Sequence, residues 1–235
     1  MVTFKALRTA MVAGLIVVLA GCQSTGGSSS GGGVDPRLAN NQDVEFFNKS
    51  GWQACAGGAA LGALACAVSN SSNKAVCMAA AAIAGCGVGM GANAYLDNQR
   101  KKYATQELQL DAAIKDVESE NARIQNATNV AKSVIASDKK TLASIEKDMA
   151  AKTVKKDEVQ KQIKGVDANI AYLRNTITDM KKHEKQWQDV SASMKKSGSD
   201  TGNLDSKIAL MRDKIGSLQG ELDSLYTQRT ALKVG

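Results

Sequence analysis

Apolar residues recur in alternating steps of three and four through the second half of the chain. This spacing predicts a long coiled-coil helix over residues 99–196, because a strict seven-residue period keeps one stripe against a partner helix in a left-handed supercoil. Such a helix would be about 150 Å long. The stripe, called the seam below, runs without a stutter through Leu110, Ile114, Val117, Asn121, Ile124, Thr128, Ala131, Ile135, Asp138, Leu142, Ile145, Met149, Lys152, Lys156, Val159, Ile163, Val166, Ile170, Leu173, Ile177, Met180, Glu184, Trp187, Ser191 and Met194.

Three of the seam's four charged residues lie close together near its middle. Lys152 and Lys156 occupy consecutive seam positions, and Asp138 precedes them. Two interpretations remain open: the chain kinks or reverses here, or the polar residues set the register and the oligomeric state of the coiled coil.

A turn over residues 197–203 separates the rod from a second heptad run over residues 204–235. The break contains Gly198 and Gly202, so the shorter C-terminal helix can fold back antiparallel on the first. We expect it to cover approximately residues 165–196. The pattern leaves open whether the partner helices belong to one chain or to several. Its seam positions are Leu204, Ile208, Met211, Ile215, Leu218, Leu222, Leu225, Arg229 and Leu232.

The N-terminus has the pattern of an export signal. Lys5 and Arg8 precede a short apolar stretch, which ends in the residues Leu-Ala-Gly-Cys at positions 19–22. This end resembles the lipobox of bacterial lipoproteins, whereas an ordinary secretory signal with a chance cysteine is the alternative. The resemblance implies removal of residues 1–21, a covalent lipid on Cys22 and acylation of the new N-terminus. In that family an Asp after the cysteine favours the inner membrane, so Gln23 implies the outer membrane.

Residues 22–50 combine the predicted lipidation site with a Gly/Ser-rich stretch that favours a flexible linker. Residues 51–98 then contain two Gly/Ala-rich apolar stretches, 52–68 and 75–95, separated by a polar turn. Their lengths are close to a bilayer core. Small residues at four-residue spacing let two helices approach closely, which predicts an antiparallel hairpin in a membrane or, alternatively, one buried in protein. The candidate packing residues are Gly58, Gly62, Gly85 and Gly89.

Four cysteines lie within this hairpin. Cys66 and Cys77 face each other next to the turn, and Cys55 and Cys86 lie near the open end, so the geometry predicts the disulfides Cys66–Cys77 and Cys55–Cys86. The alternatives are that these cysteines are small buried residues, or that Cys55 and Cys86 link subunits. We expect no metal site, because the cysteines have no CxxC spacing and no nearby His.

The hairpin resembles the glycine-zipper segments of outer-membrane lipoproteins. The matching residues are Gly85, Gly87, Gly89 and Gly91, followed by Tyr95, Asp97, Asn98 and Gln99. The resemblance implies membrane insertion and assembly into homo-oligomers. The chain departs from the family in its four cysteines and in the absence of an OmpA-like domain after the hairpin, so anchoring to the cell wall is not carried over.

Aromatic residues cluster at the base of the hairpin. Phe46, Phe47, Trp52 and Tyr95 fall at one end, where aromatic rings favour a membrane interface. Trp187 lies on the seam and is expected in the core. The single His, His183, lies off the seam, which predicts a solvated side chain.

Composition and charge narrow the function classes. With 4% aromatic residues and one Pro among 235, a large mixed core or a β-sandwich is not expected, and the prediction is an all-α protein. The formal charge of +7 falls to +5 without Lys5 and Arg8, which suits contact with anionic lipid rather than nucleic acid. We find no catalytic motif, and we expect no cofactor beyond the lipid on Cys22.

Together these features predict a structural, oligomerising outer-membrane lipoprotein. It would carry a periplasmic coiled coil and brace an envelope assembly such as a secretion system. Two alternatives stay open. One is an oligomeric α-helical pore, which polar residues along one hairpin face would favour, although Gln53, Ser69 and Asn93 are too few to decide. The other is an envelope-stress lipoprotein that encloses other membrane proteins.

Overall fold

The computed structural model describes residues 33–48, 87–153 and 155–232. Within them the chain is helical and forms no strand, which confirms the all-α class. Cys22, the four hairpin cysteines and Gly58, Gly62 and Gly85 lie outside the described residues. The elements are α1 (Pro36–Ala39), α2 (Gln42–Phe46), a 3₁₀ turn (Gly87–Met90), α3 (Ala92–Lys102), α4 (Gln106–Ala150), α5 (Lys156–Lys196) and α6 (Gly202–Ala231).

The three long helices form an up-down-up bundle. Arg229 of α6 makes a two-pronged ion pair with Asp167 of α5 at 2.8 and 2.9 Å, and Lys181 of α5 donates to Gln219 of α6. The two helices are therefore antiparallel, because a later residue of α5 pairs with an earlier residue of α6. Lys139 of α4 pairs with Glu221 of α6 at 3.0 Å. The core is built from the seam, whose members from Val117 to Ile145, from Val159 to Met194 and from Leu204 to Leu225 are all buried.

The predicted single helix over residues 99–196 is wrong, because the chain interrupts it twice. Tyr103 is extended between α3 and α4, and the Thr105 hydroxyl caps α4 by accepting from the Leu108 amide. The second break joins α4 to α5 and has Lys152 at φ +58°. Lys152 and Lys156 are exposed there, since a charged side chain in the seam would lose its water without gaining a partner. The break therefore lies where the charged seam positions had suggested a reversal.

Lys152 offers a direct test of this turn. A side chain in the left-handed region costs about 1–2 kcal/mol, which glycine avoids at the expense of a more flexible unfolded chain. We expect Lys152→Gly to raise the free energy of unfolding by about 0.5–1 kcal/mol in urea denaturation. Lys147→Gly, inside the last turn of α4, should lower it by about 1 kcal/mol. Equal losses in both variants would contradict the prediction.

The turn between α5 and α6 contains a glycine in the left-handed conformation. Gly198 adopts φ +92°, and the amides of Ser197, Gly198 and Ser199 donate to the last carbonyls of α5. Asp205 then accepts hydrogen bonds from the hydroxyls of Ser191 and Thr201. The C-terminal helix therefore begins at Gly202, slightly earlier than predicted.

Residues 33–48, which we call the strap, form structure rather than the predicted flexible linker. The Asp35 carboxylate accepts from the Arg37 amide, and the Asn41 side chain accepts from the amides of Asp43 and Val44, so both short helices are capped. The prediction is wrong here because the Gly/Ser-rich composition ends at Gly33, the first residue of the strap. Three spaced apolar residues then dock on the bundle and are fully buried: Leu38, Val44 and Phe47.

Residues 87–102, which we call the root, also differ from the prediction. The second apolar helix was expected to continue to Tyr95, but Gly91 adopts φ +94° between the 3₁₀ turn and α3. Glycine adopts this positive-φ conformation readily, and the conformation ends the helix. Gly89 therefore lies in a turn. Among the described residues, no helix combines the length and the apolar character that crossing a membrane requires.

Candidate functional site

A second row of buried residues lies beside the seam on α4 and α5. Its members are seven residues apart on each helix, so they share one face, and the strap and the root pack against that face. We call it the covered row. It consists of Ala113, Glu120, Ala127 and Val134 on α4, and of Asn169, Thr176, His183 and Val190 on α5.

The centre of the covered row is a buried carboxylate with two partners. Glu120 Oε1 lies 2.5 Å from His183 Nδ1, and Trp187 Nε1 donates to Glu120 Oε2 at 2.9 Å. All three side chains are buried. The position of Trp187 in the core is confirmed, whereas the prediction of a solvated His183 is wrong. The seam count placed His183 at the flank correctly, but additional chain covers that flank.

His183 touches both covering segments. The rings of Phe46 and Phe47 approach the imidazole edge-on, with centroids at 5.6 and 5.5 Å. From the root, Gly89 approaches so closely that a Cβ there would lie 3.3 Å from His183 Cε1. Of the four predicted packing glycines, the structure therefore describes Gly89 alone, and its neighbour is an imidazole of α5.

The root adds a second polar group beside Trp187. Tyr95 packs edge-on against Trp187, with ring centroids 5.1 Å apart, and its hydroxyl donates to Asp116 Oδ2 at 2.7 Å. Gln99 Nε2 donates to the same oxygen at 3.3 Å. Burial raises the pKa of Asp116 and of Tyr95 above their usual ranges, because removal of water disfavours both anions.

These contacts correct the prediction of interfacial aromatics for three of its four residues, whereas Trp52 lies outside the described residues. Phe47 and Tyr95 are buried in the protein itself, and Phe46 is half-buried against His183. The sequence feature behind the prediction was their clustering at the base of the hairpin. Clustering alone does not distinguish a lipid surface from a protein surface.

The strap is also held at its first residues. The Asp35 amide donates to Asn169 Oδ1 at 2.7 Å, and the Asn169 side-chain amide donates to both oxygens of Asp138, at 3.2 and 3.0 Å. Burial raises the pKa of Asp138 to about 6, and the nearby Asp35 carboxylate adds to the shift. Arg37 opposes it and pairs with Asp35 at 2.8 Å.

Asp138 should make stability depend on pH. Its pKa in the folded chain exceeds the ordinary value of 3.8, so the folded state binds this proton more tightly. The stabilisation is complete below about pH 4 and is lost as the pH rises through about 6. At pH 8 we expect Asp138→Asn to be more stable than the natural chain by about 2 kcal/mol, and the difference should vanish near pH 4.

The measurement is urea denaturation of both chains from pH 4 to 8. Asp213→Asn, at an exposed site on α6, is the matched control and should follow the natural chain. A difference between Asp138→Asn and the natural chain that does not vary with pH would contradict the prediction.

The polar side chains of this site bond to one another and so link separate segments of the chain. Both oxygens of Glu120 already accept hydrogen bonds within the protein, and Asp116 is engaged by Tyr95 and Gln99. Within the described parts of the chain, no group of three or more His, Cys, Asp or Glu could hold a metal ion. Comparisons with family models, curated proteins and solved structures find no match for this chain.

Sequence reasoning did not identify the covered row. Its signal was nonetheless present, because Ala113, Glu120 and Ala127 follow a seven-residue step parallel to the seam, as do Thr176, His183 and Val190. A stripe this wide indicates packing on an additional side. The Glu and His within it obscured the pattern, since such residues are rarely buried without a partner.

Proposed function

We propose that this protein is an outer-membrane lipoprotein with a structural, non-enzymatic role. A lipid on Cys22 would anchor it, residues within 49–86 would form a glycine-zipper hairpin that assembles copies of the chain, and the helices α4 to α6 would form a periplasmic coiled coil. The partners would be outer-membrane lipid, further copies and a protein of an envelope machine such as a secretion system. The central claim is that the glycine-rich segment is the assembly interface.

The proposal rests on where the residues that flank the glycine-rich segment contact α5. Asn48 Nδ2 donates to Thr176 Oγ1 at 2.6 Å, and Gly89 contacts His183. Thr176 and His183 are one heptad apart on α5, which is about 10 Å. Packed helices have axes 8–10 Å apart, so this separation suits a chain that leaves and returns as two adjacent helices. Disulfides between Cys66 and Cys77 and between Cys55 and Cys86 would fit such a pair.

The length and the polar outer surface of the bundle suit the docking of a partner protein. Helix α4 has 45 residues and is therefore about 68 Å long. Its exposed flank and that of α6 carry charged side chains, including Lys139 and Glu221. A lipid-anchored rod of this length would contact a partner well away from the membrane surface.

The test of anchoring uses two changes next to the predicted cleavage site. Cys22→Ser should abolish incorporation of labelled palmitate, because the thioether requires the cysteine sulfur. Gln23→Asp should keep the label but move the protein to the inner-membrane fraction of a density gradient. Ser24→Ala is the matched control, with label and fraction unchanged. Label that persists in Cys22→Ser would contradict the proposal.

The pore alternative receives less support from the described residues. Asn93, one of the three polar residues considered as a possible channel lining, is exposed in the first turn of α3, within the root. It thus belongs to the segment that covers the bundle. Leakage from liposomes that depends on Gly85 would favour the pore, and intact liposomes with inserted protein would favour the structural role.

A further inference from the structure

The seam residues of the three long helices form most of the apolar core beneath the covered row. The buried seam residues of α6 pack with those of α4 and α5 in one apolar cluster, and the buried residues of the strap and the root join it from the outer side. The covered row is different in chemistry, because it contains two alanines and four polar residues among its eight members. Exposing a surface of this composition to water costs less free energy than exposing the apolar seam would.

The strap and the root are attached by separate, modest contacts. The strap buries Leu38, Val44 and Phe47, and the root buries Val88, Tyr95 and Leu96. At the strap's far side Asp43 holds Arg123 at 3.4 Å and Asn126 at 3.1 Å. Segments with so few buried apolar side chains open at lower free energy than the core beneath them.

Two neighbouring side chains of α5 serve both segments. His183 contacts Phe46 and Phe47 from the strap and Gly89 from the root, while Trp187 contacts Tyr95 from the root. Glu120 bonds to both His183 and Trp187, so it fixes the two rings relative to each other. A displacement of His183 by one segment therefore reaches the contacts of the other.

We propose that His183, held by Glu120, couples the strap to the root, so that these two segments dock on the bundle and release from it as one unit. The bundle of α4, α5 and α6 stays folded in both states. This coupling rests on the contacts described above and does not require the proposed lipid on Cys22.

Hydrogen–deuterium exchange of the full-length chain tests the coupling with changes confined to one segment. Phe47→Ala removes a ring from the strap, and we expect exchange on the order of tenfold faster in the strap and also in residues 88–99 of the root. Gly89→Ala places a methyl group against His183, and we expect faster exchange in the root and also in residues 41–48. Leu210→Ala, at an exposed site on α6, is the control and should change neither segment.

Each outcome decides the proposal. Faster exchange in both segments, with α4 to α6 unchanged, supports it. Faster exchange confined to the segment that carries the substitution would overturn the coupling. Faster exchange in α6 as well, in the mild Gly89→Ala variant, would overturn the claim that the bundle persists without its cover.

Discussion

Replacement of His183 by leucine should lower the free energy of unfolding by about 3 kcal/mol. The change leaves the Glu120 carboxylate buried with Trp187 Nε1 as its remaining partner among the contacts at this site. Breaking one side of a buried ion-pair or hydrogen-bonded pair costs about 3–5 kcal/mol, because an uncompensated charge stays away from water. Urea denaturation followed by circular dichroism of the helices measures the loss.

The double variant Glu120→Leu with His183→Leu separates the charge from the packing. With both polar groups gone, no buried charge is left, and apolar replacements of such pairs are often neutral or stabilising. The double variant also leaves Trp187 Nε1 without its acceptor, which costs about 1–3 kcal/mol. We therefore expect it to regain only part of the lost stability. Lys185→Leu, which removes an exposed ion pair with Asp189, should change stability by less than about 1 kcal/mol. A double variant less stable than His183→Leu would contradict this account of the site.

Replacement of Trp187 by alanine should have the largest effect of any single change. Trp187 is a fully buried seam residue that packs against Tyr95 of the root. Truncation of a buried aromatic residue to alanine costs about 3–5 kcal/mol through lost burial and the cavity left behind. The loss of the hydrogen bond to Glu120 adds to that cost. The measurement is again the free energy of unfolding from urea denaturation.

Trp187→Phe isolates the hydrogen bond from the bulk of the ring. Phenylalanine retains most of the packing against Tyr95 but has no donor for Glu120 Oε2. Hydrogen bonds to charged groups contribute about 1.5–3 kcal/mol, so we expect a loss in that range. A Trp187→Phe chain as stable as the natural one would show that Glu120 does not depend on the indole.

The sequence pattern predicted the core of the long helices because burial there follows one periodic rule. Val117, Ile170 and Leu218 are buried where the seam places them. The reversal near Lys152 was also visible, since two successive charged seam positions are incompatible with a buried stripe. A heptad count defines which face is apolar, but it does not define how many neighbours share that face.

The covering segments were not predictable in the same way. The strap consists of two helices of four and five residues, too short for a periodic signal, and its order comes from caps at Asp35 and Asn41 and from tertiary contacts. We assigned the root to a longer helix because glycine, as at Gly91, is compatible both with a continuous helix and with a break at positive φ. The burial of His183 follows from these two segments, so its environment was beyond the reach of the seam analysis.

The central claim, that the glycine-rich segment is the assembly interface, is tested most directly by mass photometry of the detergent-extracted protein. The variant is Gly58→Leu, Gly62→Leu and Gly85→Leu together. Gly89 is kept, because a side chain there would meet His183. The matched control is Gly216→Leu with Gly220→Leu, since both glycines of α6 face open space. We predict a discrete oligomer for the natural chain and the control and a monomer for the variant. An oligomer that survives in the variant, or that is lost in the control, would contradict the account.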